Sequence, residues 1–246
     1  RFVDATGVLE RLRAVKTSDE LAKLKVASER ITQAMLATIG WAREGTTKHE
    51  IIERLRVEEV QRGLEFDYCL LTLGASHNRA GSPQAWQPGE VLSIDSGGNF
   101  EGYIGDLAQH PHAGEPDAEI DDLLAEVEAA QQAAFAAVRA GAPGGAVIAA
   151  GDAARRAGPN AACTDFVAHG MGLVSHEVPF LMDHSVGYAG VDADRPLEAG
   201  MVLSVETTMQ HPRRGYIKLE DTVAVTADGY ALFGEAGRGW NRGGTP

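Results

Sequence analysis

Residues 94–110, IDSGGNFEGYIGDLAQH, set two carboxylates, Asp95 and Asp106, on either side of a glycine-rich bend in otherwise strand-forming sequence. Aspartate is a poor strand former, and like charges facing each other across a hairpin destabilise it. A turn centred on Phe100 and Glu101 sets Asp95 directly opposite Asp106, with Cβ atoms roughly 4.5–5.5 Å apart. That arrangement is stable when a cation lies between the two. The alternative is a pair of solvated turn residues whose register differs by one.

A second stretch, VLSVETTMQHPRRGYIKLEDTVAV, reads as another hairpin, closed by a turn over Pro212–Gly215. Glu206 and Glu220 lie inside its two apolar strands, next to Val205 and Leu219. A glutamate in such a run needs a buried partner, because an unpaired buried charge is very costly. No Arg or Lys stands out as a mate for both, although Lys218 can serve one of them. The segment VAHGMGLVSHEVP adds imidazoles at His169 and His176, with Gly170 and Gly172 beside the first. Four carboxylates and one imidazole are enough donors for two divalent ions. An oxygen-rich set of this kind favours Mn²⁺ or a similar hard to borderline metal over a thiolate-type zinc site.

The rest of the chain frames these segments. Thr17 with Glu20, and Thr47 with Glu50, have capping-box spacing at the starts of two helices. Strand-like runs follow at FDYCLLTLG and EVLSIDSGG. A long Ala-rich helix from about 118, a shorter one near 145–157 and three more strand-like runs then repeat the order. The pattern predicts an α+β fold with an internal duplication, two helices then strands, twice. With 246 residues, 44% of them hydrophobic, the chain can bury a sizeable core. A net charge of −13 argues against a nucleic-acid partner, and no apolar run is long enough for a membrane span. Cys69 and Cys163 lack the spacing of a metal or redox pair and read as free thiols, which points to the cytoplasm.

Taken together, DSGGNFEGYIGD, HGMGLVSHE, SVE and KLEDTVAVT, in this order, resemble the pita-bread metallopeptidases of family M24: methionine aminopeptidase, aminopeptidase P, prolidase and creatinase. The likeness runs from about Val3 to Phe233. It implies the pita-bread fold, a pseudo-twofold repeat of helices packed on a curved antiparallel sheet. It implies five metal ligands, Asp95, Asp106, His169, Glu206 and Glu220, with Asp106 and Glu220 bridging two divalent ions. Manganese is the first choice, with cobalt, zinc or iron as alternatives. In such a site a metal-bound hydroxide attacks the scissile amide carbonyl, Glu206 serves as general base, and His176 bonds the substrate carbonyl or tetrahedral intermediate. His77, in GASHN, lies within about one residue of another substrate-contacting histidine of the family.

The expected function is therefore Xaa-Pro aminopeptidase or prolidase-like hydrolysis of a small peptide. The same site on this fold also supports creatinase-like C–N hydrolysis, cyclic amidine opening and lyase chemistry, and the fold can act as a non-catalytic binding module. Residues 1–16 look like the linker that follows an N-terminal domain in prolidase-like members, residues 17–235 like the catalytic domain, and 236–246 like a flexible tail. A homodimer is expected, with the N-terminal domain possible as a separate chain. Three segments depart from the family pattern, at Leu107-Ala108-Gln109, Thr207-Thr208 and Asp165. None removes a ligand, but all lie where ligands and substrate are oriented. His110 and His112 read as surface residues or supports for the ligands.

Overall fold

The computed structural model describes residues 2–182 and 190–243. A short helix, α1 (Thr6–Ala14), leads into α2 (Ser18–Trp41) and α3 (Lys48–Gln61). Both expected capping boxes are present. Thr17 and Thr47 accept from the backbone of Glu20 and Glu50, whose carboxylates bond back to the cap residues. Strands β1 (Glu65–Leu73), β2 (Leu92–Phe100) and β3 (Tyr103–His112) complete the first half. The second half repeats the order with α4 (Ala118–Ala137), α5 (Gly144–Ala157), β4 (Thr164–Gly170), β5 (Val202–His211) and β6 (Gly215–Val225). Two short strands follow, β7 (Tyr230–Phe233) and β8 (Trp240–Arg242).

The main sheet runs β1-β2-β3-β6-β5-β4, so the second half mirrors the first about the β3–β6 seam. Period-two alternation then sorts the side chains. Leu92, Ile94 and Leu107 pack with Ile31, Met35 and Leu55 under the first helix pair. Leu203 and Val205 pack with Phe135 and Val147 under the second. The alternate residues of the same strands, including Asp95, Asp106, His169, Glu206 and Glu220, are left on the opposite face. The α+β duplication expected from the sequence is thus the architecture of the molecule.

One local expectation changes. The β2–β3 turn is made by Glu101 and Gly102, with φ of 51° and 90°, between the paired Phe100 and Tyr103. A two-residue turn of this hand needs positive φ at both central positions. Gly102 meets that requirement without strain, and its N–H donates to Asn99 Oδ1 at 2.8 Å. Centring on Phe100 would instead force a bulky residue into the left-handed region, at a cost of roughly 1–2 kcal/mol. As a result Asp95 faces Ala108 and Asp106 faces Gly97. The two aspartates are diagonal neighbours on one face, not directly opposed.

The segment after β7 also carries a short strand. Trp240–Arg242 pair in parallel with His110–His112, and the indole packs edge-on against both histidine rings. The indole is half-buried there, and its contact area works against the entropy cost of ordering the glycines around it. Residues 244–246 lie outside the described residues.

Candidate metal centre

The helix-free face of the sheet holds a cleft of ≈ 590 Å³ lined by Asp95, Asp106, Glu206 and Glu220, with His176 at its wall. Donor atoms of Asp106, His169 and Glu220 lie within 4.8 Å of one another, and all three residues are buried. Glu206 directly faces Glu220 across β5 and β6. Its Oε1 is 3.7 Å from His169 Nε2. All five expected ligands therefore converge, drawn from five different strands.

His169 shows how well the set fits a cation. Its Nδ1 lies 3.2 Å from the carbonyl of Gly170, which can only accept, so the ring proton sits on Nδ1. That leaves an Nε2 lone pair, buried and without a hydrogen-bond partner, among carboxylates. A lone pair next to carboxylate oxygens is repulsive unless a cation joins them, and this tautomer is the one a metal-ligating imidazole adopts. The ring of His176 stacks on that of His169, with centroids 3.8 Å apart.

Lys218 corrects one expectation outright. It serves three carboxylates, with Nζ 2.5 Å from Asp95, 2.6 Å from Glu206 and 2.8 Å from Glu220. It is therefore the common mate of both glutamates. The reason is register. Lys218 and Glu220 are two residues apart on one strand and share a face, which puts the ammonium beside Glu206 and across from β2. Burial alone would lower the Lys218 pKa, but Asp95, Glu206, Glu220 and Asp106 together hold it well above the ordinary lysine range. Burial raises the pKa of Asp95 as well, and Lys218 and Arg79 partly offset that. Asp106 is pushed furthest up, first by burial and then by the charges of Glu220 and Asp95.

Two supporting residues were not foreseen. Tyr68, on β1, hydrogen-bonds through its hydroxyl to Asp106 on β3, two strands away. It reaches over Gly97, the residue paired with both, where an added Cβ would come within 2.4 Å of the ring. The glycine in DSGG is the only sequence trace of this contact. Arg79 pairs with Asp95 and lies over the ring of Tyr216, another cleft residue. His77, the tentative substrate histidine, is exposed and edge-on to Tyr216, with ring centroids 6.4 Å apart. It is not brought to the carboxylates, whereas Arg79, two residues on, is.

The remaining candidates are spread between the cleft wall, the core and the strands behind the site. His110 and His112 are buried, not on the surface. His110 Nε2 accepts the backbone N–H of Lys218 at 2.7 Å. Burial, with Lys218 nearby, lowers its pKa to about 3 and keeps it a neutral acceptor. Gln109 accepts from Asn241 on β8, Leu107 lies in the helix-side core, and Thr208 and Asp165 line the cleft. Ser204 donates to Glu220 at 2.8 Å.

A model of metallopeptidase family M24 matches residues 22–227. The probable dipeptidase PepE of Mycobacterium tuberculosis is 30% identical over 231 residues, covering 92% of this chain and 60% of the relative. The structure of dipeptidase PepE from Mycobacterium ulcerans is similar with a TM-score of 0.86 at 27% identity, over 99% of this chain and 65% of that one. For the X-Pro aminopeptidase of Thermotoga maritima the TM-score is 0.89 at 24% identity, over 98% and 68%. The fold is the pita-bread fold. The chain spans about 60% of the length of the curated dipeptidases it matches.

Proposed function

The chain belongs to metallopeptidase family M24, and on that basis we propose that it is a dinuclear metal-dependent hydrolase of Xaa-Pro or similar dipeptides. The observation that carries this is the convergence of Asp106, His169 and Glu220 within 4.8 Å, with Asp95 and Glu206 alongside. The dipeptidases among its relatives support a short substrate. Asp95, Asp106, His169, Glu206 and Glu220 would hold two divalent ions, manganese first because the donors are mostly oxygens. Such ions, when bound, polarise the scissile carbonyl and make water a nucleophile at neutral pH.

The chain's own groups then have distinct tasks. Glu206 takes the proton from water as the water oxygen attacks the carbonyl carbon, and returns it to the leaving nitrogen as the C–N bond breaks. His176, steadied by its stack on His169, donates to the carbonyl oxygen as negative charge develops there. Tyr68 and Ser204 orient Asp106 and Glu220. The setting this function fits is a cytoplasmic homodimer.

One observation favours a second reading. Lys218 already neutralises three of the five expected ligands, as a binding module without metal would require. The test is metal content per chain after Mn²⁺ loading and desalting, followed by assay on Xaa-Pro dipeptides, other dipeptides and tripeptides. About two ions per chain, the number a two-metal hydrolase uses, with dipeptide cleavage is the expected result. No retained metal favours the binding module. Retained metal without peptide cleavage favours a different C–N bond as substrate.

A further inference from the structure

Behind the loop that carries His176 lies a charged pair that the hydrolytic steps do not use. The Glu177 side chain is 1% exposed and so is that of Lys16, with Nζ and Oε1 2.9 Å apart. The other carboxylate oxygen receives the Leu173 N–H at 3.3 Å and lies 3.3 Å from Arg13 Nε. Lys16 also donates to the carbonyl of Ala14 at 3.2 Å. Its backbone N–H is fixed to the carbonyl of Gly200 at 2.9 Å. Burying such a pair gains little stability on its own, because desolvation of the two ions roughly cancels their attraction. Its position is more informative than its energy.

The pair presses on the loop from below. At Gly172 an added Cβ would come 2.3 Å from Glu177 Oε1 and 2.9 Å from Lys16 Cε. The loop is tied down on its other side by Ile104 N–H to the Gly172 carbonyl at 3.0 Å, and closed by Glu177 N–H to the Gly170 carbonyl at 2.9 Å. Glu177 goes under the loop to Lys16, while His176 goes to the cleft and onto His169.

We propose that the buried Lys16–Glu177 ion pair is a positioning device for His176, holding that imidazole in place from the segment ahead of α2. The proposal rests on His176 facing the scissile carbonyl, as set out above. Among the described residues the side chains of Lys16 and Arg13 and the Lys16 N–H form their polar contacts with Glu177, Ala14 and Gly200, none of them an expected metal ligand, so the two cations act on His176 through the loop.

The test compares wild type with Lys16→Met and Lys16→Arg, read by amide hydrogen exchange, metal content and steady-state kinetics. In Lys16→Met, exchange within 170–178 rises at least about tenfold while β5 and β6 exchange as before, a local opening and not a global one. Metal content is unchanged, and kcat falls by about 10- to 100-fold with KM within about twofold, the scale of an ångström-level misplacement. Lys16→Arg recovers most of both. Uniform change across the sheet, or no change in 170–178, overturns the proposal, as does a loss carried by KM alone. If Lys16→Met does not fold, the isosteric Glu177→Gln decides by the same local exchange. A wild type that retains no metal defeats the hydrolase assignment, while the exchange measurement still decides whether the pair holds the loop.

Discussion

The hairpins β2–β3 and β5–β6 occupy equivalent places in the two halves, yet they manage the same problem differently. Each carries two carboxylates on one buried face. In β2–β3 the two-residue turn offsets Asp95 from Asp106 diagonally, so distance weakens their repulsion. In β5–β6 a longer connection brings Glu206 directly opposite Glu220, and Lys218 neutralises both. Offset and counterion are alternative ways to keep like charges in a sheet. They leave different residues behind. Asp95 receives Arg79 and Lys218, but among the described residues the Asp106 carboxylate has no ion pair and is hydrogen-bonded by Tyr68 alone. The carboxylate with no cation of its own is the one that converges with His169 and Glu220.

The strongest way to break this contrast is Lys218→Met. Removing one member of a buried ionic cluster destabilises by about 3–5 kcal/mol, so urea unfolding of the chelator-treated variant should show a loss of that size, and Mn²⁺ should restore much of it. Unchanged unfolding would mean the glutamates need no counterion. The next largest effect separates the two hydroxyls. Tyr68→Phe should weaken metal binding about 10- to 100-fold, as supports of ligating carboxylates do, and Ser204→Ala less, because Glu220 keeps Lys218. Calorimetric titration of the two variants orders them, and the reverse order would deny Asp106 its special standing.

The smallest effect concerns the helix side of β2. Ser96 Oγ contacts the Tyr68 carbonyl at 2.5 Å and Glu59 Oε1 at 3.0 Å. One hydroxyl proton cannot serve both acceptors, so Glu59 supplies the second. Burial raises its pKa to about 8, against an ordinary 4.5. Because the folded value is the higher one, this contribution to stability is complete below about pH 4.5 and is lost as pH rises toward 8. Glu59→Gln should therefore melt close to wild type near pH 5 and higher near pH 8, by at least the roughly 2–4 °C that about 1 kcal/mol gives in a domain this size. Parallel melting curves at both pH values would show that Glu59 is ionised in the fold.

Much of this was legible in the sequence because it is local. The caps at Thr17 and Thr47 need only a partner three residues away, and the duplicated order of helices and strands is written in periodicity. The four expected carboxylate ligands stand out because acidic residues inside apolar strands are anomalous one by one, while His169 is marked by its glycine-flanked segment and by the family resemblance. What could not be read depends on register or on distant pairs. The left-handed φ of Glu101 is unusual for a residue with a side chain, so the turn slipped by one residue. Tyr68 reaches Asp106 across 38 positions, and only the space above Gly97 betrays it. Glu59 sits in a helix full of charges, where nothing separates a buried carboxyl from a solvated one. In sequence Lys218 reads as a partner for one glutamate, and only the strand order brings it to Asp95 as well.

The seam between the halves has a consequence for how the molecule comes into being. Ala108 pairs with Glu220, and Lys218 reaches back 123 residues to Asp95. Closing so long a loop must precede any reward from the contact, which makes such pairings slow. On a ribosome the first helix pair and its three strands are complete while β6 is still unmade. The centre is thus completed only with β6, and until it arrives Asp95 and Asp106 lack the Lys218 and Glu220 side chains that complete their surroundings.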